Sequence, residues 1–288
     1  MPRRLAYLTC ALLASLTAMA LAGCESSSVG TVTVYLSGVP VTGTQNVVVA
    51  ITGVEVGGDG GHTFFPVSPE VAVDLDTGTR ATLVSGLVPT GDYKWVRLQF
   101  NPVDSYVLAA DGDRFPLEVP GTFQSTSPFV IGETQTTGML VDIDLRKALD
   151  VQTQGSTTRY TLEPVSRLLD VNALVGIVGT APDSLMIGGQ SVTDPLCDPK
   201  VYVYQGAGAV PEGFFVPVPH GTVPYSSAGL IAHEAQAEFI FSATLLPPGA
   251  YTVAVTCAAA DVPGSSSIAF SPAQSVVLSL GKEGDVTF

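Results

Sequence analysis

Apolar residues recur at every second position along much of this chain, a period that suits β-strands and not helices. In Thr31 to Ser37 the residues Val32, Val34 and Leu36 fall on one face and Thr31, Thr33 and Tyr35 on the other. In Tyr93 to Phe100 the residues Val96, Leu98 and Phe100 oppose Tyr93, Trp95 and Arg97. The stretches Val47 to Ile51, Val71 to Leu75, Met139 to Leu145 and Tyr160 to Leu168 also read as strands, with Gly57-Gly58-Asp59-Gly60-Gly61 as a flexible loop. Ala110-Asp111-Gly112-Asp113 separates Tyr106–Ala109 from Arg114–Val119, and its Asp-Gly pair supplies the positive backbone dihedrals of a tight hairpin. Helical periodicity is scarce. An all-β chain with two β-sandwiches, Ig-like or transthyretin-like, is the natural closure.

The N-terminus is organised differently. Arg3 and Arg4 precede an apolar run from Leu5 to Leu21, too short and too rich in alanine for a permanent span, so residues 1–23 read as an export signal. The run ends in Leu21-Ala22-Gly23-Cys24, which matches the bacterial lipobox, in which the cysteine receives a diacylglyceryl group and becomes the first mature residue. Residues 24–29, with Glu25-Ser26-Ser27-Ser28, form a polar tether. Each buried methylene of an acyl chain contributes about 0.8 kcal/mol, and more than one chain gives stable attachment. The membrane is therefore an expected partner, through lipid on Cys24. Glu25 stands where lipoproteins retained at the inner membrane commonly carry Asp, which places the protein in the cell envelope, at the outer membrane of a diderm source.

Removing Arg3 and Arg4 from 12 basic residues leaves 10 against 26 acidic ones, a formal charge of −16 for the mature chain. Such a surface repels nucleic acid, which is excluded as a partner. Hydrophobic residues at 46% and charged ones at 13% are ample for a buried core. A break at Asp170-Val171-Asn172 divides the mature chain into 30–172 and 173–288. The second part carries strands Val175–Val178, Val201–Tyr204, Phe239–Thr244, Tyr251–Cys257, Ser275–Leu280 and Asp285–Phe288, the fourth fed by the turn Leu246-Pro247-Pro248-Gly249-Ala250-Tyr251.

GTVTVYLSGVPV, NVVVAITGVEV, GDYKWVRLQF, DGDRFPL, VDIDLRKAL and YTLEPVSRLLD together resemble a bacterial lipoprotein domain known as domain of unknown function 4382. Members of that family usually have Asp-Ala-Pro where this chain has Gly38-Val39-Pro40, so one carboxylate is lost from the first turn. The resemblance implies a β-sandwich and a lipoprotein setting, and no catalytic residue. LVGIVGTA, KVYVYQG, LPPGAYTVAV and SVVLSLGKEGDVTF are similar to the carboxypeptidase-regulatory-like, transthyretin-like sandwiches, a likeness of architecture and not of ligand.

The chemical motifs are incomplete. His233-Glu234 opens like a zinc-protease helix, but Ala237 stands where the second histidine belongs. Asp111 and Asp113 have calcium-loop spacing until Phe115, and Asp74 and Asp76 fail at Gly78. A Ser/His/Asp site would have to draw on His62, His220 or His233 across long distances. No catalytic residue and no cofactor is assigned, and a metal is left open. The sharper constellation is Asp142, Asp144 and Arg146, which strand alternation puts on one face, with Ile143 and Leu145 on the other. It is a candidate polar or cation site; a solvated face with Arg146 as counter-charge is the favoured alternative. Trp95 could stack a sugar, although a half-buried packing role is favoured. Cys10 leaves with the signal and Cys24 is modified, so Cys197 and Cys257 are expected to pair in an oxidising compartment, with two buried free thiols as the alternative.

The expectation is a membrane-anchored envelope lipoprotein that is not an enzyme and serves as a structural or binding module, its protein or glycan partner open. The alternatives are a carbohydrate-binding module or a glycan-active hydrolase with a dispersed acidic pair.

Overall fold

The computed structural model describes residues 28–288 apart from 40, 42, 60, 76–78, 217–219 and 262–267. The signal segment, Cys24, Pro40, Asp76 and Gly78 lie outside the described residues.

The chain is built of sheets packed as sandwiches. The first stretch contains β1 (Val29–Val39), β2 (Thr44–Gly58), β3 (Gly61–Asp74), β4 (Ala81–Pro89), β5 (Gly91–Phe100) and β6 (Tyr106–Ala109). It continues with β7 (Arg114–Glu118), β8 (Thr122–Ile131), β9 (Thr136–Asp144), the one-turn helix α1 (Leu145–Ala148), β10 (Leu149–Gln154), β11 (Thr157–Leu162) and β12 (Arg167–Asp170). A four-stranded sheet in the order β12-β9-β1-β4 faces an eight-stranded one, β10-β11-β7-β6-β2-β5-β8 with β3 added on β2. The 15-residue β2 is long enough to pair with β6 and then β5 along one edge and with β3 along the other.

The alternation predicted for β1 holds: Val32, Val34 and Leu36 are fully buried in a core that also takes Val54, Val56, Val96 and Leu98. Tyr93 is a correction. It shares the core with Val96 instead of the outer face with Trp95, at the point where the β5–β8 pairing is irregular and β8 takes one more residue than β5 between Tyr93↔Phe129 and Trp95↔Thr126. Tyr160 to Leu168 is likewise not one strand. β11 and β12 belong to different sheets, separated at Pro164, which has no N–H to donate to a ladder. Met139 to Leu145 ends one residue early because the Asp144 side chain accepts from Arg146 N and caps α1. The glycine-rich loop at 57–61 is tighter than expected, since Gly58 and Gly61 still pair across the β2–β3 hairpin.

The second stretch comprises β13 (Val175–Pro182), β14 (Met186–Ile187), β15 (Gln190–Ser191), β16 (Pro199–Gln205), β17 (Ser226–Gly229) and β18 (Ile231–His233). It ends with β19 (Glu238–Leu246), β20 (Gly249–Cys257), β21 (Gln274–Leu278) and β22 (Gly284–Thr287). Sheets β18-β19-β13-β22 and β17-β16-β20-β21 enclose a core of Ile177, Val201, Val203, Val253 and Val255. The opposite face of β16 and β20 is buried too, with Tyr202, Tyr204 and Ala254 beneath Phe214 and Phe270.

One turn recurs in both stretches. Pro89-Thr90-Gly91-Asp92-Tyr93 and Pro247-Pro248-Gly249-Ala250-Tyr251 each lead into a central strand. In each the tyrosine hydroxyl donates to the proline carbonyl four residues back, at 2.8 Å. Burial pushes the Tyr251 hydroxyl up to about 12, so it stays a donor across the physiological range.

The outer face of β2 carries Gly57, opposite Trp95. A Cβ at Gly57 would lie 2.2 Å from Trp95 Cζ2, so the indole rests directly on the glycine. Gly57→Ala should therefore cost roughly 1–3 kcal/mol by overpacking. Denaturant unfolding should show that loss together with a red-shifted emission from Trp95, the chain's one tryptophan.

Candidate functional site

Asp142, in β9, lies between β1 and β12, in register with Ser37 on one side and Arg167 on the other. That row makes a buried triad. Ser37 Oγ donates to Asp142 Oδ1 at 2.8 Å, while Arg167 Nε donates to Asp142 Oδ2 at 3.0 Å and its Nη2 to the same oxygen. Asp142 is 0% exposed and Asp144 6%, so the solvated face expected for them is corrected. The second stretch of the chain covers them.

Arg146 does not serve as their counter-charge. Sitting in α1 and not in a strand, it turns toward the second stretch, with its guanidinium 5.4 Å from the centroid of the Tyr202 ring and 5.3 Å from that of Phe214. Its Nη2 lies 4.0 Å from Asp261 Oδ2. Positive charge for Asp142 and Asp144 comes instead from Arg167 and Lys147. Arg167 stacks on Tyr225 at 4.6 Å, and Lys147 donates to the Pro224 carbonyl while lying 4.7 Å from the centre of the Phe214 ring. Cations desolvated against aromatic faces contribute more than exposed ones.

Asp261 organises the far side of this junction. It accepts from Tyr202 Oη at 2.8 Å, from Phe214 N at 2.8 Å and from Phe215 N at 3.3 Å. Burial, with Asp261 as neighbour, raises the Tyr202 pKa far above its ordinary value, which keeps that hydroxyl a donor. Three cations (Arg146, Lys147, Arg167) and three carboxylates (Asp142, Asp144, Asp261) thus meet where the two stretches touch. Beside them lies a cleft of about 320 Å³ bordered by Asp144, Arg167, Gln205 and Tyr225. A wider one of about 900 Å³ is bordered by Leu145, Arg146, Tyr160 and Phe215.

Burial pushes the Asp144 carboxyl up from the usual carboxylate range, with Lys147 and the Arg146 N–H opposing only in part. Burial likewise pushes Lys147 down. A carboxyl raised in the folded state is protonated there over a window in which the unfolded chain has already lost its proton. Its contribution is fully present below the unfolded pKa and declines as pH rises through the folded one. Asp144→Asn keeps the Oδ1 cap and should flatten that decline, raising stability at pH 7 relative to pH 4 in urea titrations.

The other sequence candidates are dispersed. Trp95 is half-buried, one face on Gly57 and the Arg97 guanidinium 4.6 Å from its centroid, so its ring lacks the free face that a stacked sugar needs. Arg97 is itself bound to Glu55 at 2.7 Å, and Glu55 lies 3.2 Å from His62. Asp111 accepts from Asp113 N at 3.1 Å inside a hairpin turn whose Gly112 has φ +93°. Asp74 accepts from Val47 N at 3.1 Å and from Asn46. His233 ends β18 at a 3-10 turn and lies 3.8 Å from Glu238. Among the described residues no three His, Cys, Asp or Glu side chains gather as a metal site. Cys197 and Cys257 are joined by a disulfide with Cα atoms 4.4 Å apart. Ser37, Arg167, Lys147, Tyr225 and Asp261 were not foreseen as site residues; only the basic pair Arg146-Lys147 beside two aspartates signalled a charge cluster.

Residues 29–164 match the family described as "Domain of unknown function (DUF4382)". The DUF4382 segment holds Asp142, Asp144 and Arg146 and ends just before Arg167, and its description assigns no activity. No curated protein matches the chain. Among solved structures, a leucine-rich repeat protein from Bacteroides thetaiotaomicron is 10% identical, with 91% of this chain aligned to 26% of that one at a TM-score of 0.22. The fimbrial anchor protein Mfa2 from Porphyromonas gingivalis is 14% identical, with 84% and 82% covered at 0.20. A putative adhesin from Bacteroides ovatus is 8% identical, with 86% and 81% covered at 0.19. The chain spans about a quarter of the length of the first. These structures assign it no activity.

Proposed function

We propose that this DUF4382-containing chain is a lipid-anchored envelope protein, attached through Cys24, whose two sandwiches form one non-catalytic structural or binding module. What carries the non-catalytic reading is the junction. Of the residues that sequence marked, Asp142 is held by Ser37 and Arg167, and Arg146 reaches across to Tyr202, Phe214 and Asp261, while Lys147 and Arg167 beside them engage Pro224 and Tyr225. Charges used in this way fix one sandwich against the other instead of meeting a substrate. A lipobox at residues 21–24 supports the envelope setting, and Glu25 supports the outer membrane of a diderm source.

Labelled palmitate should enter the wild-type protein and not Cys24→Ser, which should move from the membrane pellet to the soluble fraction. Unlabelled wild type would remove the anchor from this account, and recovery with the inner membrane alone would remove the outer-membrane assignment. Turnover in a broad glycoside screen, abolished by Asp142→Asn, would overturn the non-catalytic reading.

A further inference from the structure

The fold grips the tether at Ser28 and Val29. Thr90 donates its backbone N–H to the Ser28 carbonyl at 2.9 Å, the Ser28 and Thr90 hydroxyls lie 2.6 Å apart, and Thr134 N donates to Val29 O at 3.1 Å. Four peptide units separate Cys24 from Ser28, and no conformation of them can span more than about 14 Å. The headgroup region of a bilayer is itself roughly 5–8 Å deep on each side. Cys24, when acylated, therefore holds this end of the first sandwich against the surface.

Three turns form that end: β2–β3 around Asp59, β4–β5 at Thr90, and β8–β9 at 132–135. They are packed together, since a Cβ on Gly58 would lie 2.5 Å from Asp92 O and one on Gly30 would lie 2.3 Å from Gly132 O. Exposed apolar side chains stand beside them, Val29 at 41%, Leu87 at 66% and Val130 at 65%. Leu87 is level with Thr31, and Val130 with Asp92. The charges are mostly acidic. Asp59, Asp92 and Glu133 are exposed, against Lys94, whose ammonium is already paired with Asp59. Anionic lipid would repel such an end, whereas zwitterionic headgroups accept both its carboxylates and its apolar rim.

We propose that the β2–β3, β4–β5 and β8–β9 end of the first sandwich rests on the zwitterionic headgroup surface of the membrane that holds Cys24, which depends on the lipid-anchor reading above. The test uses the full-length lipidated protein in phosphatidylcholine vesicles, with Trp95→Phe as background and a single new tryptophan as reporter. Val130→Trp should lose emission when the vesicles contain brominated phosphatidylcholine, and Val103→Trp, at the opposite end of β5, should not. Leu87→Trp repeats the near-end measurement should Val130→Trp fail to fold. Replacing phosphatidylcholine with phosphatidylglycerol at low salt should weaken the quenching, and undiminished quenching there would overturn the zwitterionic assignment. Equal quenching at both ends, or none near the tether while the vesicles still carry the protein on flotation, would overturn the proposal and leave the anchor standing. Failure of the wild type to float with vesicles would overturn both.

Discussion

Arg167→Ala should destabilise the first sandwich by about 3–5 kcal/mol, the usual cost of leaving a buried charge without its partner. Asp142 is fully buried, and Arg167 supplies two of its three side-chain hydrogen bonds; Ser37 supplies the third and carries no charge. Urea unfolding of the wild type and the variant at pH 7 measures this loss. Asp142→Leu/Arg167→Met, which removes both charges and fills the space, should recover most of the loss, because a well-packed apolar pair is often as stable as the ion pair it replaces. A single-variant loss under about 1 kcal/mol, or a double variant as unstable as Arg167→Ala, would show that water or another cation compensates Asp142. Because Arg167 also stacks on Tyr225, the same variant should loosen the two sandwiches and make the 220–225 segment easier to cleave.

Local periodicity made the strands around Val32 and Val96 legible, as it did the placement of Asp142 and Asp144 on one face. Their burial was not legible, because it depends on partners far away in sequence. Ser37 lies 105 residues before Asp142 and Arg167 lies 25 after it. No spacing rule joins them; the parallel β1–β9 register does. Arg146 leaves the alternating pattern for a related reason. Alternation read through Asp144 puts Arg146 on a strand face, but an aspartate two residues before a basic pair can equally cap a helix, and here it does. Pro164 was a readable break that would have separated β11 from β12.

Other elements hid their signal. β8 buries Ser125 between Phe123 and Phe129, so its inward face reads as polar until the Ser125–Ser166 hydroxyl contact at 2.5 Å is known. Asp261 had no local signature at all, since its partners Tyr202 and Phe214 are 59 and 47 residues away. The Pro-x-Gly-x-Tyr turn, by contrast, is written twice in the sequence, and its repetition was a readable sign of two related turn geometries.

Cys197→Ala/Cys257→Ala should cost the second sandwich about 4 kcal/mol, the chain-entropy value for releasing a loop of this length, and leave the first nearly unchanged. The cross-link spans 60 residues, and that loop contains β16, β17, β18, β19 and nearly all of β20, so its release frees most of the second fold at once. Cys257 closes β20 on the face that buries Val253 and Val255, while Cys197 precedes β16, the neighbouring strand. Both sulfurs thus sit inside the apolar core, and alanine there adds a cavity to the lost cross-link. Cys257→Ala alone should be no more stable than the double variant, because it leaves the Cys197 thiol unpaired in that core. Thermal unfolding with probes in each stretch separates the effects: Trp95 reports the first, and exchange of the β20 amides reports the second. A drop of equal size in both would mean that the junction at Arg146 and Asp261 makes the two sandwiches one cooperative unit. In that case Arg146→Ala, which removes the contacts with Tyr202, Phe214 and Asp261, should restore separate transitions.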